Sequence, residues 1–305
     1  MSDLPKVKGD IFENYNLANL TRFKTGGVAE VYFSPKDVDD LSSFLKKCPK
    51  DMPIHTIGFG SNILIRDGIL NGITIRLQNE CFSNIDPVAG QEYTFKCGAF
   101  ASNIAIAKFM AENNVKGMEF LYGIPGTIGG AILSNAGCFG REVKDIIVEV
   151  EGINTITGEK KVFTVDECGL SYRKCSLPAD WIFVSVTIRG EKGVCADIQK
   201  AMDEIKTKKD ASQPTMTKTS GSTFKNPSTD NPAWKLIKEA GCQGLRLGDA
   251  VVSEKHANFI VNVGNATSAD IEDLAETVRT KVYEKFGIML EYEIKIMGSR
   301  KLENP

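Results

Sequence analysis

Apolar and polar positions repeat along the chain with two different periods, and the periods predict its elements. VAEVYF (28–33) is rich in β-branched and aromatic residues and reads as a strand. Behind Pro35 and Asp37, residues Val38, Leu41, Phe44, Leu45 and Cys48 recur at helical spacing, so a helix follows. IHTIG (54–58), ILI (63–65), ITIRL (73–77) and YTFKC (93–97) are short strands broken by Gly, Asn and Asp. Ile104, Ile106, Phe109 and Met110 return to the helical period over 101–114.

Three long strand-like runs come next, at 146–155, 161–165 and 181–190, then a helical pattern at 195–209 through Ile198, Met202 and Ile205. DASQPTMTKTSGST (210–223) is polar and punctuated, the best place for a domain junction. Beyond it the pattern predicts a short helix around Trp234 and Ile237, a strand at 256–264 and a long helix at 268–286. That last helix has Thr267 or Ser268 as cap, one face of Ile271, Leu274, Val278, Val282 and Phe286, and Gly287 as stop. A final strand is expected at 289–298.

Composition narrows the classes. The chain has 305 residues, 42% hydrophobic and 25% charged, as in ordinary globular proteins of about two domains. Lys+Arg number 37 against Asp+Glu 39, a net charge of -2, which argues against a nucleic-acid partner. The segment MSDLPKVKGD lacks the apolar core of a signal peptide, and no run is long enough to span a bilayer. Eight scattered cysteines form no CxxC pair, so reduced thiols, a cytoplasmic setting and no metal are expected.

Two glycine-rich segments carry candidate chemistry. Gly58-Phe59-Gly60-Ser61-Asn62 lies between strands, where successive N–H groups can converge on phosphate oxygens; a tight β-turn would use the same residues. It is neither a dinucleotide fingerprint, since position 63 is Ile and no helix follows, nor a Walker A loop. Gly123-Ile124-Pro125-Gly126-Thr127-Ile128-Gly129-Gly130, continuing to Asn135 and Gly137, lets backbone lie flat against a ligand where a Cβ would collide. Packing against a neighbouring element is the plainer account of the same glycines.

GFGSNILIRDG, GMEFLYGIPGTIGGAILSNAGCFG, LSYRKCSL, GSTFKNP and AGCQGLRLGDAVVSEKHANFIVN occur in one order. In that order the chain resembles the UDP-N-acetylenolpyruvoylglucosamine reductase family, over nearly its whole length. The resemblance implies an α+β fold with a two-part FAD-binding unit like that of vanillyl-alcohol-oxidase-type flavoproteins, and a separate substrate domain. Expected boundaries are 1–205 for the FAD unit, split near 80–100, then 206–288 for substrate binding and 289–305 for a returning strand. FAD would be non-covalent, gripped through Gly58, Gly60, Ser61, Asn62, Gly123, Ile124, Pro125, Gly126, Thr127, Gly129, Gly130, Asn135 and Gly137. NADPH would be the co-substrate, and flavin N5 would pass hydride to the enolpyruvyl group in peptidoglycan precursor synthesis.

By the same resemblance the catalytic residues are Arg173, Ser222 and Glu293. Arg173 would fork onto the enolpyruvyl carboxylate, Ser222 would protonate, and Glu293 would orient the guanidinium or stabilise the enolate. Tyr172, Lys225 and Asn226 would meet substrate, Lys225 through its diphosphate. The short spacing between Arg173 and Ser222 leaves little room for the tyrosine loop some members carry, which marks the shorter type. TRFKTGG (21–27) departs from a threonine-rich family version and should affect packing more than chemistry. His256 either touches substrate or only closes a turn, and the turn is the favoured reading. A monomer acting on small molecules is expected, without membrane. An oxidase of the same fold and a silent nucleotide-binding module remain as alternatives. The oxidase is disfavoured by the only two histidines, His55 and His256, lying outside 121–140, and the silent module by the presence of all three catalytic residues.

Overall fold

The three long strand-like runs build one antiparallel sheet. In this computed structural model, which describes residues 4–301, its order is Lys160–Thr164, Ile147–Asn154, Trp181–Arg189, Thr94–Gly98, Ile85–Pro87. The register explains why the sequence alternates. Phe163, Val150, Val186, Cys97 and Ile85 pair in one row across the sheet, and the first four are buried. The adjacent row is Thr164, Glu149, Thr187, Lys96 and Asp86. Within it Thr187 Oγ1 donates to Glu149 Oε1 at 3.1 Å, while Lys96 Nζ reaches beyond the row to Glu151 Oε2 at 2.8 Å.

This sheet belongs to the first of two units, comprising residues 4–12, Val31–Gly58 and Gly72–Lys208. Its helix Val38–Lys47 forms where expected, with Leu41, Phe44, Leu45 and the following Cys48 buried. Asp37 caps it, accepting from Asp40 N, while the buried Asp40 carboxylate accepts from Lys8 N, Gly9 N and Lys36 N. Helix Asn103–Glu112 buries Ile106 and Met110 and leaves Ile104 half-exposed.

The second unit comprises Glu13–Glu30, Phe59–Asn71 and residues 209–301. Helix Ser268–Phe286 packs Ile271, Leu274, Ala275, Val278 and Val282 into a core with Phe224, Leu236, Val252 and Ile260. Thr267 and Asp270 form a capping box, and Gly287 ends the helix at φ 67°. The Asp67 carboxylate accepts from the next two orphan amides, Ser268 N and Ala269 N.

This division differs from the expected boundaries, which kept 1–205 together and set 289–305 apart. The cause is a parallel pairing of Ile63–Ile65 with Lys295–Met297, Ile63 opposite Lys295, which draws Phe59–Asn71 into the second unit. Arg66 reinforces it through two hydrogen bonds to Glu272, at 2.9 and 2.8 Å. Two expected strands are also shorter: 256–264 is regular only over Ile260–Asn262, and 289–298 only over Lys295–Met297. No helix among the described residues is long and apolar enough to cross a membrane. All eight cysteines are free, and burial pushes the Cys97 thiol up to about 12.

Candidate active site

In the first unit Gly58 meets the second glycine segment. A Cβ on Gly58 would stand 2.7 Å from Thr127 Oγ1, closer than real Cβ atoms approach. Thr127 caps the short helix Ile128–Leu133, accepting from Gly130 N at 3.3 Å. The segment is braced from below: Ile128 N and Gly129 N donate to Ala101 O and Ala99 O, each at 2.9 Å.

The glycines here answer different demands. Gly126 sits at φ 116°, a conformation only glycine adopts readily. Gly129 faces Ala99 O, which its Cβ would meet at 2.9 Å, and Gly137 faces Arg141 O at 2.8 Å. A Cβ on Gly60, in the second unit, would collide with Leu20 O, and Arg22 N donates to Gly60 O. TRFKTGG therefore packs around that turn. Packing alone requires glycine at 60, 129 and 137. Gly130 differs: it is exposed, and a Cβ there would meet only Thr127 Oγ1, at 3.4 Å. Ile124 is buried and Pro125 exposed.

Asn135, expected among the cofactor contacts, has its side-chain polar atoms bonded within the protein. It is fully buried; Nδ2 donates to Glu142 Oε2 and Ser171 O, and Oδ1 accepts from Lys144 N. The Ser171 bond anchors the hairpin that carries Tyr172 and Arg173. Ser171 and Lys174 exchange both backbone hydrogen bonds at 3.0 Å, so these two residues form the whole turn. Arg173 takes φ 55°, a left-handed conformation that costs a non-glycine residue about 1–2 kcal/mol. Its guanidinium lies 5.2 Å from the centroid of the exposed Tyr172 ring.

In the second unit Ser222 and Glu293 are brought into one backbone register. Phe224 pairs antiparallel with Tyr292, Glu293 N donates to Thr223 O at 2.9 Å, and Lys225 N donates to Glu291 O at 2.9 Å. Glu293 thus stands across from the residue next to Ser222. Both are half-buried, whereas Glu291 is exposed and pairs with Lys225 at 3.2 Å. Asn62, expected at the cofactor, also holds this strand: Nδ2 donates to Glu293 O at 3.1 Å, and Asn62 O accepts from Lys295 N. Ser61 beside it is half-buried. Asn226 is spent on a helix start, its Oδ1 accepting from Ala233 N at 3.0 Å.

Sequence reasoning missed the groups that hold this strand. Tyr292 OH donates to Glu276 Oε1 at 2.8 Å, and burial, then that bond, push its hydroxyl above the ordinary phenol range. Arg279 lies 5.1 Å from the Tyr292 ring centroid, takes Glu276 with both carboxylate oxygens and donates to Leu290 O. Their signal, i,i+3 spacing on a helix, is common to any solvated face. His256 closes a turn as expected, its Nδ1 accepting from Asn258 N at 3.3 Å while its ring meets Phe259 edge-on. Burial lowers its pKa, which keeps that nitrogen free to accept.

Two family models match the chain: an FAD binding domain over residues 29–163, and the UDP-N-acetylenolpyruvoylglucosamine reductase C-terminal domain over 213–297. A reductase of that name from Parvibaculum lavamentivorans is 46% identical over 98% of this chain and 94% of its own length. One from Rickettsia bellii is 46% identical over 97% and 96%. The chain belongs to the UDP-N-acetylenolpyruvoylglucosamine reductase family.

The solved reductase from Thermus caldophilus has the same fold, with TM-score 0.81 at 29% identity, covering 96% of this chain and all of that one. Within the family frame, the first-unit loops fit a flat group bearing a diphosphate. Gly58 and Thr127 approach too closely for any Cβ between them, Gly130 presents bare backbone, and the amides of Gly126 and Thr127 donate to no protein acceptor among the described residues. No cluster that could hold a metal occurs among the described residues.

Proposed function

We propose that the chain reduces the enolpyruvyl group of UDP-N-acetylenolpyruvoylglucosamine to the lactyl ether of UDP-N-acetylmuramate, with FAD as cofactor and NADPH as reductant. The observation that carries this reading is the backbone register of Ser222 with Glu293, in a chain alignable over nearly its full length with reductases of that name. Bound FAD would supply the redox step, taking two electrons as hydride from NADPH and giving them to the terminal carbon of the enolpyruvyl alkene. Gly58, Gly123, Ile124, Pro125, Gly126, Thr127 and Gly130 in the first unit would hold it, with Gly60 and Ser61 shaping the adjoining turn.

The residues of the chain complete the reaction. Arg173 would hold the enolpyruvyl carboxylate through its planar fork, and would bind more tightly as negative charge grows there. Ser222 would give its proton to the carbon beside the ether oxygen, balancing the hydride. Serine is a weak acid in water, but an enolate held against it is a strong base. Glu293 would stabilise the developing enol, and Tyr172 would pack on substrate. Lys225, already paired with Glu291, would turn to the diphosphate, and Asn226 would meet substrate beside its part in the helix start. The near-balanced charge supports small-molecule substrates over a nucleic-acid partner, and the chain would act as a cytoplasmic monomer.

The test is an anaerobic cycle. NADPH should bleach the yellow protein, and the enolpyruvyl sugar nucleotide should restore its colour with formation of the lactyl ether. Failure of the nucleotide to restore colour, with rapid restoration by oxygen and an alcohol or aldehyde as reductant, would favour the oxidase alternative.

A further inference from the structure

We infer that Asn258 is a positioning residue for the proton transfer, acting through Ser222. The inference rests on Ser222 being the proton donor. Ser222 lies on a bridge-paired segment, 222–225, too short to belong to a regular sheet. Its backbone groups must nevertheless be satisfied, because Thr223 and Phe224 are buried.

Asn258 satisfies them on one edge. Thr223 N donates to the Asn258 carbonyl at 2.8 Å. Phe224 N donates to Asn258 Oδ1 at 3.0 Å, and Asn258 Nδ2 donates back to Phe224 O at 2.8 Å. The side-chain amide thereby copies the peptide group of a neighbouring strand, and Ser222 pairs with Phe259 beside it. On the opposite edge Thr223 O accepts from Glu293 N, and Lys225 N donates to Glu291 O. The residues directly after Ser222 are therefore held from both edges, and among the described residues Asn258, 3% exposed, is the only side chain that grips both polar groups of Phe224.

Such a clamp sets where the serine hydroxyl can point. Gly221, immediately before it at φ 82° with no atom near its absent Cβ, gives no lateral support. Without the amide, the segment would keep its pairing to 291–293 but could shift along its other edge. Misplacement of a reacting group by about 1 Å can cost about 10²-fold in rate.

The experiment is stopped-flow on FAD-loaded Asn258→Ala, with each half-reaction measured separately beside Ser222→Ala and the double variant. Asn258→Ala should be reduced by NADPH within a few-fold of wild type, yet be reoxidised by the enolpyruvyl nucleotide about 10–10²-fold more slowly. Substrate affinity should change little. The double variant should be no slower than Ser222→Ala alone, because Asn258 acts through the serine. Asn258→Asp, which keeps the acceptor and loses the donor, should be intermediate and carries the test where the alanine variant does not fold. The core variant Val278→Ala should lower stability without slowing reoxidation of the folded enzyme. Wild-type reoxidation in Asn258→Ala or Asn258→Asp, equal slowing of both half-reactions, or a double variant slower by the product of the singles would each overturn the inference. If Ser222→Ala itself reoxidises normally, the reading of Ser222 fails first, and the role of Asn258 falls with it.

Discussion

The hairpin at Tyr172 and Arg173 and the segment at Ser222 solve the same problem in opposite ways. Arg173 stands on a turn only two residues long, in a left-handed conformation, with a long side chain beside an exposed ring. Ser222 has almost no side chain, and the backbone after it is bonded on both edges. The contrast follows the chemistry proposed for each. A guanidinium that binds a carboxylate finds its geometry through the fork of the ligand, so its stem can be mobile. A hydroxyl that must reach one carbon depends wholly on where its backbone is held.

Breaking the segment should have the largest effect. Ser222→Ala should leave reduction by NADPH near normal and slow reoxidation by substrate about 10²–10⁴-fold, read by stopped-flow. Affinity for the oxidised enzyme should change by no more than the worth of one neutral hydrogen bond, about 0.5–1.5 kcal/mol. Next comes the hairpin. Arg173→Ala should slow the same half-reaction about 10²–10³-fold, and Arg173→Lys should recover only part, keeping charge but losing the fork. Arg173→Gly sharpens the comparison: it should be as inactive as the alanine variant yet gain about 0.5–1 kcal/mol in urea unfolding, because glycine tolerates φ 55°.

Smaller effects test the supports. The Arg66 guanidinium, hydrogen-bonded to Glu272, holds that carboxyl below the usual carboxylate range. With its folded pKa below its unfolded value, the stabilisation is complete above the unfolded pKa, roughly 4.3. It is lost as pH falls through the folded value. Glu272→Gln should therefore cost stability of order 1–3 kcal/mol at pH 7 and flatten the acid limb of the unfolding profile. A mutant curve parallel to wild type between pH 5 and 2 would show that the pair contributes nothing there. Smallest should be Gly130→Ala, which the fold accommodates. It should purify with normal stability but weaker FAD retention, by a few-fold on dialysis, and undiminished retention would remove Gly130 from the cofactor surface.

What the sequence revealed divides along the same line as the two regions. Helix Ser268–Phe286 was legible to its ends because its stripe, capping box and stop glycine are all local. The alternating sheet was legible because neighbouring rows differ in polarity. The expected final strand was too long because 289–294 is held by Arg279, Tyr292 and the 223–225 segment, not by a regular ladder. Asn62 and Asn135 stood out beside glycines and suggested a ligand; that each also donates its amide to a distant carbonyl, Glu293 O or Ser171 O, was not legible. Such long-range bonds leave no periodicity to read. Arg173, Ser222 and Glu293 came from family resemblance alone, since nothing local distinguishes them from surface residues.

The central claim is that Ser222 and Glu293, registered through Thr223, serve one chemical step. A double-mutant cycle of Ser222→Ala and Glu293→Gln tests it directly, read as the rate of flavin reoxidation by the enolpyruvyl nucleotide after anaerobic reduction with NADPH. Residues that act as a unit are strongly non-additive. The double variant should reoxidise within a few-fold of the slower single variant. A double variant slowed by the full product of the two single effects would mean that the serine and the glutamate act independently, and would contradict the account.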